Sequence, residues 1–473
     1  MSTEDNQLSI EEPVDIQKSK HHQDMEMLSN TMNTLEENTK SSEEFDEVEV
    51  SDKDKTETKD ENDKMDRVQR KNSSFFEALM NSLNSVLGAG ILSVPNSFIS
   101  VGLVPSLILI FIMAILSYVA SIINVKLNLK YDSSGFDEIV EKLMGKVGSI
   151  SYSVITIIFL WAGLVAFTII AGDTLISWFA FGGIDISPFK YRSVAILIYS
   201  IIIPIALSIP KSFKIIGIFS TFSIGFIFFY AIASIVKVCQ IVPQYGISPT
   251  VKIAHFDIQI FSALSVYALA FSLPCVIIPI LSNYPKVYKK RRNLVITSFG
   301  ISAFLTIFPS VMLYLIFGNQ SDGNILNSFP SNDILFTVVR VGFFLIVSFS
   351  FPVIAKSCMS NWSHLLFKIN DPNSLSTCKY WSVFVLTVSV PVLLGMFLPQ
   401  CKPAMTIGGA LGGCLGCYTY PSILNILSSE RKWTVSNVLS GLFAIFGTII
   451  AVISTYTSVV DAINAFKTDF HSF

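Results

Sequence analysis

Charge is what this 473-residue chain has least of: 14% of its residues are Asp, Glu, Lys or Arg, against about 25% in an ordinary soluble domain. With 51% hydrophobic residues and a mean hydropathy of +0.57, that shortage excludes a soluble enzyme for most of the chain. Alternating polar and apolar runs of about ten residues are lacking too, which argues against a transmembrane barrel. The seven cysteines form no metal or disulfide framework. Cys414-x-x-Cys417 sits in a Gly-rich apolar run without the context of a redox motif. Met1 to Asp66 has no apolar stretch and is acidic where a secretory signal would be basic, so the first membrane segment is expected to serve as the targeting signal.

What charge there is divides sharply. Residues 1–71 carry 21 acids against 10 bases, a net of -11, while residues 72–473 carry 14 against 23, a net of +9. Before Phe75 the only aromatic residue is Phe45. Such a segment cannot bury enough apolar surface to offset chain entropy, and 1–71 is expected to be a disordered acidic cytosolic tail.

The remainder reads as an all-α polytopic membrane protein. Apolar runs of about 17–25 residues predict eleven transmembrane helices: 76–98, 101–124, 150–179, 192–209, 213–238, 260–282, 294–317, 334–357, 380–398, 404–426 and 435–457, here spans 1 to 11. They form a transporter domain over 72–457, followed by a short non-cytosolic tail, 458–473. With the N-terminus in the cytosol, the inner loops hold 18 Lys and Arg and the outer loops 6, as the positive-inside rule requires. The largest inner cluster, Lys286 to Arg292, is expected to fix topology, with contact to anionic lipid as a further possibility. Phe136, Ile139, Val140 and Leu143 recur at helical spacing with charges opposite. They predict an amphipathic helix on the cytoplasmic surface, or a structured loop. Asn319-Gln320-Ser321 is a glycosylation sequon on the outer side.

Two spans are interrupted where a bilayer penalises it. Span 1 contains Gly88-Ala89-Gly90 halfway along and then Pro95; span 6 contains Ser272-Leu273-Pro274. Glycine removes the steric preference for helix, and proline leaves the carbonyl four residues earlier, Ala270, without its partner. A freed backbone group in hydrocarbon costs several kcal/mol unless something satisfies it. Breaks at matching places five spans apart point to two inverted five-helix repeats with a site near the midplane. Amides at Ala89, Gly90 and Ile91, at the positive end of a half-helix, suit a carboxylate. Carbonyls of Ser85 and Val86, with those near Ala270, Phe271 and Ser272, suit an ammonium. An anion cradle beside a cation cradle is shaped for a zwitterion, and an α-amino acid is the expected substrate.

The motif Asn84-x-x-x-Gly88-x-Gly90-x-Leu92-x-x-Pro95 after a basic stretch, the eleven spans, and Ser350 to Trp362 at the end of span 8 resemble the amino acid/auxin permease family. That family includes vacuolar amino acid transporters and sodium-coupled neutral amino acid transporters. The resemblance covers 72–457 and implies a leucine-transporter-like 5+5 inverted repeat plus one extra helix. It further implies amino acid symport or antiport, with Asn84 opening the motif and Gly88 to Gly90 binding the substrate's main-chain groups.

Ion coupling, to H+ or Na+, has few candidates. Asp173 could relay protons or be a hydrated interfacial acid, and Ser348 and Ser350 could offer hydroxyls to sodium or simply pack. Arg340 is expected to snorkel to the outer face or join a gating ion pair. His255 reads as a solvated outer-loop histidine, with sensing of lumenal pH as the alternative. Trp161 and Phe167 are candidates to line the pocket, with a lipid-facing position as the alternative. Gly408, Gly412 and Gly416, interleaved with Gly409, Gly413 and Cys417, would allow close helix approach.

No nucleophile–base pair or metal-ligand cluster falls within the spans, which argues against an enzyme, a cofactor or a bound metal. No polar ring or repeated filter argues for a channel. The expected function is secondary active amino acid transport in a vacuolar, lysosomal or plasma membrane. The alternative is an amino acid sensor signalling through its tail. The expected partners are the amino acid and the lipid bilayer, with no nucleic acid; the sequence sets no oligomeric state.

Overall fold

The computed structural model describes residues 73–133, 135–209, 216–369, 371–430 and 434–470. The acidic tail, Lys211, Lys214, Arg431 and Lys432 lie outside the described residues. Every regular element described is a helix: α1 (Phe75–Val86), α2 (Val94–Ser97), α3 (Leu103–Tyr131), α4 (Phe136–Phe181), α5 (Phe189–Ser200), α6 (Ile216–Tyr245), α7 (Ile260–Ala270), α8 (Leu273–Leu281), α9 (Tyr288–Phe317), α10 (Ile334–Phe367), α11 (Thr377–Phe397), α12 (Lys402–Gly408), α13 (Tyr420–Leu427) and α14 (Val435–Phe470). Short 3-10 turns join several of them. Among the described residues nine helical stretches are long and apolar enough to cross a membrane, counting α7 and α8 together as one. The segments read as spans 1 and 10 are helical as well, but are built differently. Span 1 is cut by the turn at Ala89–Leu92, and span 10 runs through a π segment, Gly409–Thr419.

Boundaries differ where local chemistry extends or bends a helix. α4 begins fourteen residues before span 3, because the amphipathic helix joins it across Gly145 at φ 69°, a left-handed conformation that glycine adopts without steric cost. Its apolar face packs on the bundle, not on a membrane surface: Phe136, Ile139 and Val140 are buried, and Phe136 lies 5.0 Å from the Tyr152 ring, itself 5.1 Å from that of Tyr420. Beyond Ser200, α5 passes Pro204 through a π turn, Ile201–Ile205, and ends at Ser208. α14 continues to Phe470, through the stretch read as a tail.

The glycine stripes of span 10 make close contacts on two sides. A Cβ on Gly409 would overlap the Ser265 carbonyl oxygen, and one on Gly413 would lie 2.8 Å from Ala268 Cβ, both on α7. A Cβ on Gly408 would lie 2.9 Å from Ala162 Cβ, and one on Gly412 would overlap Phe159, both on α4. The π segment thus wedges between α4 and α7 with its backbone against each, which only residues without a Cβ allow.

Gly409→Ala is expected to lose about 1–3 kcal/mol of stability through overpacking, visible as a lowered Tm in detergent. Gly300→Ala on α9, where a new Cβ meets nothing within 4 Å, should leave Tm unchanged or slightly raised.

Candidate substrate site

α1 ends where the sequence stops favouring helix. Leu87 caps it at φ -84°, ψ 48°, its N–H donating to the Leu83 carbonyl, and Gly88 turns the chain out at φ -83°, ψ -145°. The 3-10 turn that follows is held by Ile91 N–H to Gly88 O (3.4 Å) and Ser93 N–H to Gly90 O (3.2 Å). Pro95 then sits in the first turn of α2, where its missing N–H costs nothing. Between α7 and α8 the chain leaves helical geometry at Phe271 (φ -122°, ψ 31°) and Ser272 (φ -76°, ψ 21°), and Pro274 opens α8.

The two breaks face each other. A Cβ on Gly90 would lie 3.5 Å from Leu269 Cγ and 3.6 Å from the Cα and N of Ala270. On the other side, Gly88 lies against Phe167, with 3.8 Å from a built Cβ to Cζ. Phe167 is buried there, whereas Trp161 packs on Trp362 with ring centroids 5.5 Å apart. Ser85 and Val86 occupy the last turn of α1, whose carbonyls have no intrahelical partner. The Ser85 side chain is exposed and donates to Asn81 O (2.8 Å). Asn84 is half-buried and Ile91 buried, while Phe271 is fully buried with its ring tilted against that of Phe299, centroids 6.4 Å apart.

One supporting residue was missed by sequence reasoning. Asn124 on α3, 1% exposed, donates from Nδ2 to the carbonyl of Pro274 at 2.8 Å and so holds the start of α8. The Ser272 carbonyl accepts the Cys417 thiol at 3.6 Å. The signal was present: Ser117, Ser121, Asn124 and Asn128 recur at helical spacing on one buried face of an otherwise apolar helix.

Asp173, Ser348 and Ser350 are not drawn into this cleft by their bonds. Oδ2 of Asp173 accepts from Asn324 Nδ2 (3.1 Å) and Asn327 Nδ2 (2.9 Å), and its Oδ1 lies 4.0 Å from Arg192 Nη2. It is therefore a packed group joining α4, α5 and the 318–333 connection, not a freely hydrated one. Ser348 shares a hydrogen bond with Tyr199 Oη (2.9 Å) on α5, and Ser350 is half-buried. The same connection covers the end of span 1: Ser93 Oγ donates to Gly323 O (2.5 Å) and Asn96 Nδ2 to Ser321 O (2.5 Å). Within it, burial pushes the Asp322 carboxyl upward, opposed by hydrogen bonds from Asn324 and Asn327.

Arg340 does not snorkel to the outer face, and among the described residues its hydrogen bonds go to backbone carbonyls and not to a carboxylate. It is 2% exposed and donates to the carbonyls of Leu326 (2.8 Å), Phe329 (2.7 Å) and Pro330 (3.4 Å). Asn319 is exposed, but the sequon's Ser321 is buried with Oγ bonded to Gly318 O. His255 is half-buried, its N–H donating to Val101 O (2.8 Å).

Residues 71–460 match the model of the transmembrane amino acid transporter protein family. The chain belongs to that family. Vacuolar amino acid transporter 2 of Saccharomyces cerevisiae is 25% identical over 84% of this chain and 86% of its own length. A putative sodium-coupled neutral amino acid transporter 10 of Xenopus laevis is 23% identical over 82% of this chain and 37% of its own. The structure of MhsT in complex with L-phenylalanine matches with a TM-score of 0.51 at 14% identity, over 82% of this chain and 99% of that one. At that identity the likeness is one of fold alone, which this multi-pass membrane protein shares with that structure.

Asn124→Ala should strand the Pro274 carbonyl, costing about 1–3 kcal/mol. The expected result is a lower Tm together with reduced amino acid uptake; unchanged values of both would remove Asn124 from the support of the break.

Proposed function

We propose that this protein is a secondary active transporter that moves α-amino acids by ion-coupled symport or antiport, with alternating access around the paired breaks. The carrying observation is the approach of Gly90 to Ala270, which brings the two helix breaks together and supports a site built from the backbone amides and carbonyls that the breaks free. Such an arrangement recognises the two charged ends of an amino acid without spending an ionisable side chain. The membership in a transporter family and the names of its relatives support the reading.

The wall formed by Phe167, Leu269 and Ala270 is apolar and suits a neutral substrate side chain. Buried Arg192, Arg291 and Arg340 are each engaged with carbonyls of loops or helix ends. Asp173 is the proton-coupling candidate best placed to act through the fold, since protonation would weaken its hold on two amides and on Arg192. Ser348 and Ser350 remain the hydroxyl candidates for sodium.

The topology belongs to the same proposal: eleven spans, counting the two interrupted ones, arranged as inverted five-helix repeats plus one. In it the acidic tail and N-terminus are cytosolic and the C-terminus lumenal or extracellular, in a vacuolar, lysosomal or plasma membrane.

Flux of radiolabelled amino acids into proteoliposomes under imposed proton and sodium gradients in turn tests the transport reading; no gradient-driven flux of any amino acid would end it. Gly90→Leu, which presses on Leu269 and Ala270, should abolish uptake while the protein still reaches its membrane. Orientation is tested with a membrane-impermeant maleimide. Exposed Cys239 should label from the outer or lumenal side, and exposed Cys378 only from the cytosolic side.

A further inference from the structure

At the end of the bundle where the described chain begins, Ser73 is tied to the turn between α8 and α9. Both its N–H (2.6 Å) and its Oγ (2.9 Å) donate to the carbonyl of Asn283. Beside this tie opens a cavity of about 560 Å³, lined by Ser73 and Phe75 on one wall and by Tyr284, Pro285, Lys290, Asn293, Ile296 and Thr297 on the other.

The second wall is rigid. Arg291, 1% exposed, donates to the carbonyls of Leu281 (3.1 Å), Tyr284 (3.2 Å) and Pro285 (3.1 Å) and to Asn128 Oδ1 (2.6 Å). One member of the 286–292 cluster is thus an internal clamp. Lys286 is paired with Asp132, whose carboxyl it holds below the usual range. Lys289, Lys290 and Arg292 are exposed in the first turns of α9, which holds no acid in its first turn. Cations at a helix N-terminus oppose its dipole, so their placement there does not serve the helix and leaves a concentrated positive field at the cavity. The lining combines the charge of Lys290, flanked on α9 by Lys289 and Arg292, with the hydroxyls and amide of Ser73, Thr297 and Asn293 and with exposed Phe75 and Ile296. Anionic head and apolar tail are both accommodated.

We propose that this cavity binds the headgroup of an anionic phospholipid and that the bound lipid bridges the first half-helix, α1, to the fixed turn ahead of α9. Its cytosolic location rests on the topology proposed above; the binding itself does not. Because α1 leads into the break at Gly88, a lipid held here sets how readily that half-helix parts from α9.

The test is lipid retention by the full chain in mixed micelles of phosphatidylinositol and phosphatidylcholine, counted by native mass spectrometry, which needs no transport activity. Each basic side chain near an anionic headgroup is worth about fivefold in binding. The Lys289→Gln/Lys290→Gln/Arg292→Gln variant should therefore retain at least roughly tenfold less phosphatidylinositol. A Lys142→Gln/Lys146→Gln variant, altering exposed bases elsewhere, should retain as much as the wild type. Equal retention of both lipids by the wild type, or undiminished retention by the triple variant, would overturn the proposal. So would displacement of the lipid by soluble glycerophosphoinositol at matched concentration, which would make the cavity a site for a free anion. Should the triple variant fail to fold, the wild-type comparison between lipids still decides.

Discussion

A polypeptide in hydrocarbon must satisfy its own backbone, and everything particular about this fold follows from breaking helices under that constraint. α1 stops at Leu87 and α7 at Ala270 in the apolar interior. Each break is tolerated because other groups come to it. Asn124 reaches the Pro274 carbonyl, Cys417 reaches that of Ser272, and the 3-10 turn at Ala89–Leu92 recovers bonds a free coil would lose. The two broken backbone stretches face each other where Gly90 approaches Ala270. The close approach depends in turn on the π segment of glycines, which lets α7 and α4 lie against a backbone with no side chains between.

Two buried arginines extend this logic to the ends of the bundle. Arg291 gathers the carbonyls that close α8, and Arg340 gathers those of the connection between α9 and α10. Lysine could not replace either one: a planar fork with five donors serves several carbonyls in fixed directions, whereas an ammonium is a compact point charge. In a protein so short of charge, these residues organise irregular backbone instead of meeting solvent.

Much of this was legible in the sequence, and what was legible was local. Gly88, Gly90 and Pro274 announce the breaks within a residue or two, since the steric limits of glycine and proline act on their neighbours. Apolar runs give the spans for the same reason. The polar connections were not legible, because they join residues 150 to 230 positions apart: Asn124 with Pro274, Asp173 with Asn324, Ser93 with Gly323. Arg340 read as a snorkelling side chain because hydropathy records the cost of burying it but not the carbonyls waiting there. The amphipathic segment 136–144 misled in a similar way, as an apolar helix face does not say whether lipid or protein covers it.

The connection at 318–333 is fastened to span 1 through Ser93 and Asn96, to α4 through Asp173 and to α10 through Arg340. A net gain of about 1 kcal/mol per hydrogen bond is small, but these bonds share one short stretch of chain and cannot be broken singly without straining the rest. Loosening one corner exposes buried donors and acceptors at the others. The segment is therefore held as one cooperative unit, seated on three helices at once, so that a change at any one fastening is felt at the others.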